Sequence, residues 1–311
     1  MSQDIPTFNR RRFLQRLASL GVVAAFGSGY AAAAARPAIR KAIPSTGERL
    51  PVIGMGSWIT FDVGADEQDR AARVQVLQAF FDHGGALIDS SPMYGSSEEV
   101  IGYCLGQIRN RGAVFAATKV WIYGRWLGIK QMEASRRLWG VERFDLMQIH
   151  NMLDWKAHLE TLKAWKAEGR IRYLGITTSH GRRHEEMERV LAKEPFDFVQ
   201  LTYNAVDREA EQRLLPLAAE RGIAVIVNRP FQRGALFGPV RGKPLPEWAG
   251  EFDCENWAQF FLKFAVSHPA VTCAIPATSK AHHMIENMGA GFGRLPDAGM
   301  RQRMIAHFGN L

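Results

Sequence analysis

Along residues 36–311 short apolar runs alternate with longer segments in which apolar residues recur every three or four positions. The runs are 52–58, 86–89, 114–120, 144–150, 171–177, 198–203, 223–228 and 271–276, eight in all. Each is nearly continuous in hydrophobicity, as strands covered on both faces are. The segments 67–83, 97–109, 155–168, 208–221 and 256–268 carry the helical period, as in Leu159, Leu162, Ala164 and Trp165. Glycine follows three of them, at His83-Gly84-Gly85, Glu168-Gly169 and Arg221-Gly222, where a left-handed cap ends a helix before the next strand.

Strands joined by crossover helices make a parallel sheet. Eight such units predict an α/β fold, a single-domain (β/α)8 TIM barrel, an architecture of ~250 residues. The competing arrangement is an open doubly wound sheet, whose dinucleotide-binding form carries G-x-G-x-x-G after its first strand. Gly54-Met55-Gly56-Ser57-Trp58-Ile59 has the first two glycines and lacks the third, which favours the barrel.

Residues 1–35 break the pattern. Arg10-Arg11-Arg12-Phe13-Leu14 precedes an uncharged stretch, 17–35, rich in Ala, Gly and Val and ending in alanines. That is the order of an export signal, and it resembles the twin-arginine type, which implies export of an already folded protein to the periplasm by the twin-arginine machinery. Cleavage is expected near Ala35, leaving 36–311 as the folded domain. The alternative is an uncleaved signal anchoring the protein in the inner membrane, since 19 uncharged residues just span ~30 Å of hydrocarbon.

Composition narrows the partners. The formal net charge is +8, of which +3 lies in residues 1–35, where four arginines face one aspartate. In the remainder Lys and Arg are interleaved with Asp and Glu, unlike the clustered basic faces of nucleic-acid binders, so no nucleic-acid partner is expected. Cys104, Cys254 and Cys273 form no C-x-x-C pair and have no zinc-type spacing. They read as core thiols, with no metal site. No dedicated interface stripe is evident, and a monomer is expected.

In a barrel the chemistry sits at the C-terminal ends of the strands. The second run ends in Asp89, the third brings Lys119 and the fourth ends in His150, while Tyr94 follows Asp89 in the same loop. A Lys beside a Tyr favours the phenolate and is expected to draw the phenol pKa from ~10 toward neutrality. An Asp holds the Lys, and a neutral His donates a hydrogen bond to a carbonyl oxygen. The four suit proton transfer to a developing alkoxide.

The segments Gly54-Met55-Gly56-Ser57-Trp58, Ile88-Asp89-Ser90-Ser91-Pro92-Met93-Tyr94-Gly95-Ser96-Ser97-Glu98, Ala117-Thr118-Lys119-Val120-Trp121, Gln148-Ile149-His150, Leu174-Gly175-Ile176, Val199-Gln200 and Ala274-Ile275-Pro276-Ala277-Thr278-Ser279 resemble, in order, the aldo/keto reductase family. The resemblance implies an NADP(H)-dependent oxidoreductase that interconverts carbonyl compounds and alcohols by hydride transfer, with NAD(H) the less favoured cofactor. It casts Tyr94 as the general acid, Lys119 paired with Asp89 as its tuner and His150 as the group that orients the small-molecule carbonyl substrate. Trp58, Trp121 and Asn151 fall where the family walls its substrate pocket, with core packing the alternative for the two tryptophans.

For the cofactor, the resemblance implies contacts from Gly56, Ser57 and Trp58, from Thr177, Thr178 and Gln200 to the nicotinamide carboxamide, from Asn228 beside the nicotinamide, and from the loop Arg229-Pro230-Phe231-Gln232-Arg233-Gly234-Ala235-Leu236 along the pyrophosphate, with Arg233 as its electrostatic partner. Ile275, Ala277, Thr278, Ser279 and Lys280, with His283, Glu286 and Asn287 on the next helix, match the segment that grips the adenosine 2′-phosphate. His283 stands where the family often has Arg. Asn228 replaces the aromatic that stacks on the nicotinamide, for which Tyr203 is the candidate substitute. An alternative from another class is an exported, non-catalytic nicotinamide-binding or redox-sensing subunit that reuses the fold.

Overall fold

The computed structural model describes residues 37–311 except 111 and 113; the expected export signal lies outside the described residues. The chain opens with an antiparallel hairpin, β1 (Arg40–Ala42) and β2 (Arg49–Pro51). Eight parallel strands follow: β3 (Met55–Gly56), β4 (Leu87–Asp89), β5 (Phe115–Val120), β6 (Phe144–Ile149), β7 (Ile171–Thr177), β8 (Phe198–Thr202), β9 (Ala224–Asn228) and β10 (Val271–Ala274). Each pairs with its sequence neighbour. Parallel bridges Ile53 to Ala274 and Gly56 to Ala277 close β10 on β3, with Gly54 N donating to Ala274 O at 2.8 Å and Gly56 N to Pro276 O at 3.0 Å. The expected eight-stranded barrel is the observed architecture.

The two glycines that half-match a dinucleotide fingerprint serve this closure. A Cβ on Gly56 would sit 2.9 Å from Ile275 O, and one on Gly54 2.9 Å from Leu87 O. Only glycine lets the short first strand approach both neighbours.

Crossover helices cover the barrel: α1 (Glu67–Asp82), α2 (Ser97–Gln107), α3 (Arg125–Trp139), α4 (Trp155–Ala167), α5 (His184–Lys193), α6 (Leu214–Glu220), α7 (Trp257–Ser267) and α8 (Ala281–Gly289), with α9 (Ala298–Gly309) after them. Asp66, Asn256 and Asp297 cap α1, α7 and α9 by accepting from the backbone N–H three residues on. Gly84, Gly169 and Gly222 adopt φ of 80°, 75° and 65° at the expected stops.

Two elements differ from expectation. The helix expected over 208–221 runs only over α6, preceded by a 3₁₀ turn at Glu209–Glu211. Pro216 is the reason: in a longer helix its ring would strike the carbonyl of Gln212, whereas in the first turn of α6 its missing N–H goes unneeded. The hairpin was not foreseen, because six strand residues offer too short a period. It plugs the N-terminal mouth, where Ile43 and Leu50 join the interior cluster of Leu87, Phe115, Leu146, Tyr173, Phe198, Ala224 and Ile226. Lys41 Nζ fastens it by donating to the carbonyls of Val266, His268 and Val271 at 2.7, 2.8 and 2.7 Å.

Strand alternation therefore stacks the interior by chemistry. Near the N-terminal mouth the inward residues are apolar; one or two steps along the same strands they are Asp89, Lys119, Gln148, Gln200 and Asn228. The polar end is where the site forms. Cys104, Cys254 and Cys273 are buried and unpaired, as expected of core thiols; burial raises the Cys104 and Cys254 pKa values to about 12.

Candidate active site

Lys119 is completely buried and Asp89 nearly so, and Lys119 Nζ lies 2.5 Å from Asp89 Oδ2 and 2.7 Å from Ser90 O. Asp89 Oδ1 accepts from Gln148 Nε2 at 2.8 Å and Gln200 Nε2 at 2.9 Å. Both carboxylate oxygens are thus satisfied, the condition for a buried ion pair to persist. Ser57 Oγ donates to Asp89 O at 3.0 Å and lies 2.9 Å from Ser90 Oγ, tying β3 to the loop after β4.

That loop carries Tyr94 over the pair, with Lys119 Nζ 5.1 Å from the centre of its ring. The expected fall of the Tyr94 pKa is not observed. Burial raises it above the ordinary value, and Lys119, which opposes that rise, does not outweigh burial and the nearby Asp89 charge. Tyr94 is therefore a protonated phenol at neutral pH, an acid rather than a resting phenolate. Burial lowers the Lys119 pKa, yet Asp89 and Tyr94 more than reverse this and the net shift is upward, so the ammonium keeps its charge.

His150 packs edge-on to Tyr94 with ring centres 5.7 Å apart. Burial first, then Lys119, holds its pKa well below the usual value, so the imidazole is neutral, as expected. Ser91 Oγ lies 2.8 Å from His150 Nδ1 and accepts from Met93 N at 3.3 Å. With the Ser91 hydroxyl donating to Nδ1, the imidazole N–H stands on Nε2 as a donor. Ser91 is thus a positioning residue that sequence reasoning missed, although it lies in the same loop segment as Asp89 and Tyr94.

A second missed residue is Glu98. Its buried carboxyl accepts from Thr118 Oγ1 at 2.5 Å, Ser135 Oγ at 2.7 Å and Trp139 Nε1 at 3.2 Å, and burial raises its pKa. It clasps α2, which begins just after Tyr94, to the strand that presents Lys119 and to α3.

The expected pocket and cofactor residues separate into groups. Trp121 is 40% exposed with its ring 6.4 Å from His150, a wall of the rim rather than core packing. Asn151 has φ of 52°, and its N–H donates to Thr177 Oγ1 at 2.9 Å. Trp58 lies under Arg233, whose guanidinium carbon is 4.3 Å from the ring centre.

Gln200, Thr178 and Asn228 are tied into the barrel floor. Besides Asp89, Gln200 Nε2 reaches Gln148 Oε1 at 3.2 Å. The Thr178 hydroxyl donates to Arg182 O. Asn228 Nδ2 donates to Thr178 O at 2.9 Å and Gln200 Oε1 at 3.4 Å, while its Oδ1 accepts from Thr202 Oγ1 at 2.7 Å. Tyr203 is no substitute for the absent aromatic. It is fully buried, stacks on Phe264 at 5.6 Å and donates to Glu211 Oε1 at 2.5 Å, because position 203 follows the inward Thr202 and faces the helices.

The loop after β9 is contorted. Arg229, Gln232 and Arg233 have φ of 52°, 49° and 59°, and Gly234 has 91°; such non-glycine residues cost of order 1–3 kcal/mol each and cluster at functional sites. Pro230 is buried, and Phe231 is held by Phe237 at 5.0 Å. After β10, Ala277 bridges Gly56, Ile275 N donates to Val227 O at 3.0 Å, and Lys280 N to Thr278 Oγ1 at 3.2 Å. Ser279 is half-buried just before α8. No side chain caps the N-terminus of α8, which leaves its first N–H groups for an anion. His283 and Glu286 lie exposed on α8 and Asn287 is buried. Burial, His282 and Lys280 keep the His283 pKa low despite Glu286.

Comparison with known proteins agrees with this geometry. The Escherichia coli methylglyoxal reductase YeaE is 30% identical over 250 residues, covering 76% of this chain and 84% of that protein. The Bacillus subtilis aldo-keto reductase YhdN is 27% identical over 213 residues; the match takes in 64% of this chain and 63% of YhdN, just under two thirds of its length. Among solved structures, an aldo/keto reductase from Klebsiella pneumoniae in complex with NADP and acetate superposes with a TM-score of 0.72 at 23% identity, covering 84% of this chain and 93% of that one. The sequence profile of the aldo/keto reductase family matches residues 52–303, and on that match and the E. coli relative the chain belongs to the aldo/keto reductase family.

Proposed function

We propose that the protein is an NADP(H)-dependent carbonyl reductase in which Tyr94 gives its proton to the substrate oxygen. The observation that carries this reading is the meeting, on one rim of the barrel, of a protonated Tyr94, the buried Asp89–Lys119 pair and a neutral His150. His150 Nε2–H and the Tyr94 hydroxyl donate to the carbonyl oxygen and polarise it. As negative charge builds on that oxygen, Tyr94 transfers its proton there, and Lys119 stabilises the phenolate left behind. Asp89 keeps Lys119 charged and in place throughout.

The chain's residues fit a nicotinamide dinucleotide. The uncapped start of α8 with Lys280 and His283 suits a phosphate, and Arg233 has no carboxylate partner among the described residues. These two features follow adjacent strands, β10 and β9, at the C-terminal end of the barrel. Bound there, the cofactor supplies hydride to the carbonyl carbon. The Klebsiella structure carries NADP and the E. coli relative is named for methylglyoxal reduction, which supports both the cofactor and an aldehyde substrate.

Consumption of NADPH by purified protein with methylglyoxal and with simple aldehydes tests the reading. Tyr94→Phe is expected to lower kcat by about 10²- to 10⁴-fold while NADPH still quenches the protein fluorescence. Wild-type turnover retained in Tyr94→Phe refutes the role of Tyr94. We also propose twin-arginine export with NADP(H) already bound, from Arg10-Arg11-Arg12 and the need of an exported reductase for a nucleotide that cells keep in the cytoplasm. Periplasmic protein that releases about one equivalent of nucleotide on denaturation is the expected result, and empty periplasmic protein overturns it.

A further inference from the structure

The loops after β5 and β6 enclose a cleft of about 320 Å3 whose apolar lining is Tyr123, Met152, Leu153 and Trp155. It continues the reaction site on both sides. Leu153 N donates to His150 O at 3.1 Å, and Tyr123 comes two residues after Trp121, whose ring lies 6.4 Å from that of His150.

The loop after β5 is fixed by two helices. Gln131 of α3 accepts from Trp121 N at 2.7 Å and donates to Trp121 O at 3.3 Å. Buried His158 of α4 donates from Nε2 to Ile122 O at 2.7 Å, and Asp154 Oδ2 accepts from Gly124 N at 2.8 Å. Gly128 lets α3 come this close, since a Cβ there would sit 2.5 Å from His158 Cε1. The backbone on either side of Tyr123 is therefore immobile, while its side chain stands open at 71% exposure.

The loop after β6 is held in a costly shape. Asn151, Met152 and Asp154 stand at φ of 52°, 58° and 46°, and Met152 is the outlier, because Asn and Asp tolerate the left-handed region better. Arg183 sustains it, with Nη1 donating to Asn151 O at 2.9 Å and Met152 O at 3.1 Å. Backbone of this kind persists where its surroundings over-determine it, and it clusters at ligand sites. Two loops so constrained form the cleft in advance, so their ordering entropy is lost in folding rather than on binding.

The chemistry of the cleft narrows its occupant. Arg183 Nε and Nη2 each donate to Glu186 at 2.8 Å, Trp155 Nε1 donates to Glu186 Oε1 at 3.3 Å, and Asp154 is held by Gly124. A sugar would have to displace these bonds. An aryl ring needs only the faces of Tyr123 and Trp155 and the side of Met152, all of which favour aromatic contact. The Lys156 ammonium, 5.7 Å from the centre of the Trp155 ring, disfavours a cationic tail.

We propose that this cleft is a second substrate subsite, that it takes an aromatic ring joined to the carbonyl through a flexible chain, and that Tyr123 sets the preference for that ring. This rests on the reductase reading above and names the substrate class of the same site, aldehydes with a distal aryl group. Tyr123 takes no part in the proton or hydride transfer; it places the far end of the substrate.

The test compares pentanal with 5-phenylpentanal, which differ only by the ring, in wild type, Tyr123→Ala and Tyr123→Phe. The Tyr123 side chain is exposed, so both variants fold. Burial of the ring is expected to give wild type about 10-fold or more in kcat/KM for the aryl aldehyde, carried mainly by KM. Tyr123→Ala brings the ratio of the two aldehydes to within about threefold of one, and Tyr123→Phe, which keeps the ring, keeps the ratio. A wild type without preference for 5-phenylpentanal overturns the proposal. So does a ratio that survives Tyr123→Ala, whether or not both rates fall together, since the ring then sits elsewhere. If wild type reduces neither aldehyde, the reductase reading is what fails. Calorimetric titration with 5-phenylpentan-1-ol then decides this one: binding weakened in Tyr123→Ala and retained in Tyr123→Phe sustains it, and binding absent from wild type or indifferent to Tyr123→Ala ends it.

Discussion

Replacing Asp89 by Asn keeps its shape and removes its charge, which isolates what the buried pair contributes. Asp89 accepts from three donors, Lys119 on one oxygen and the amides of Gln148 and Gln200 on the other. An Asn can accept on one side only; its NH2 must then face either the Lys119 ammonium or the two amide donors. In the first case Lys119 is left buried with Ser90 O as its one remaining acceptor in this set; in the second the two amide donors lose theirs, and in both the buried ammonium loses its counter-charge. Breaking a buried pair in this way costs about 3–5 kcal/mol. At about 2–4 °C per kcal/mol for a domain near this size, Tm should fall by roughly 6–20 °C. Urea unfolding should show a lower midpoint with unchanged slope. The Asp89→Leu/Lys119→Met double variant should lose less than the sum of its singles, by about 2 kcal/mol or more, although the orphaned Gln148 donor keeps it below wild type. A change under about 1 kcal/mol in Asp89→Asn, with additive singles, would refute the coupling of these groups.

Gly56→Ala drives a Cβ to 2.9 Å from Ile275 O at the barrel seam, and chemical denaturation should show a loss of about 1–3 kcal/mol; wild-type stability would mean the seam relaxes freely. Burial, aided by Arg301, lowers the pKa of half-buried His268 to about 4. Because the folded value lies below the unfolded ~6.5, this stability is fully present above pH 6.5 and drains as pH falls toward 4. His268→Gln should flatten the stability profile in that window, and an identical profile contradicts the assignment. His150 should hold one imidazole NMR signal without titrating from pH 8 to about 6, as its lowered pKa requires; a midpoint near the usual value would show that the ring is solvated.

The barrel was legible because eight apolar runs lie at regular intervals, and the four rim residues because the polar ends of those runs recur at corresponding places. What escaped depends on context that a linear pattern does not carry. Pro216 shortens a helix only once the register of its neighbours is known. Lys119 shifts the Tyr94 phenol as expected in sign, but burial of the hydroxyl is larger, and burial is a property of the closed barrel. Tyr203 has the right ring chemistry, and strand parity sends it to the helical layer.

Asn228 shows why the departure from an aromatic platform is a different solution rather than a defect. Its amide links Thr202, Thr178 and Gln200, and Gln200 passes the link to Gln148 and Asp89. An aromatic ring at 228 would offer a stacking face but would remove the donor to Gln200 Oε1 and the acceptor for Thr202. Gln200 would then be freer to turn its Nε2 away from Asp89, and the buried carboxylate would lose one of the amides that stabilise its charge. Fixed dipoles around an ion pair in a water-excluded site need no reorganisation during the reaction. The chain thus holds the charges around Tyr94 more firmly at the expense of a π surface.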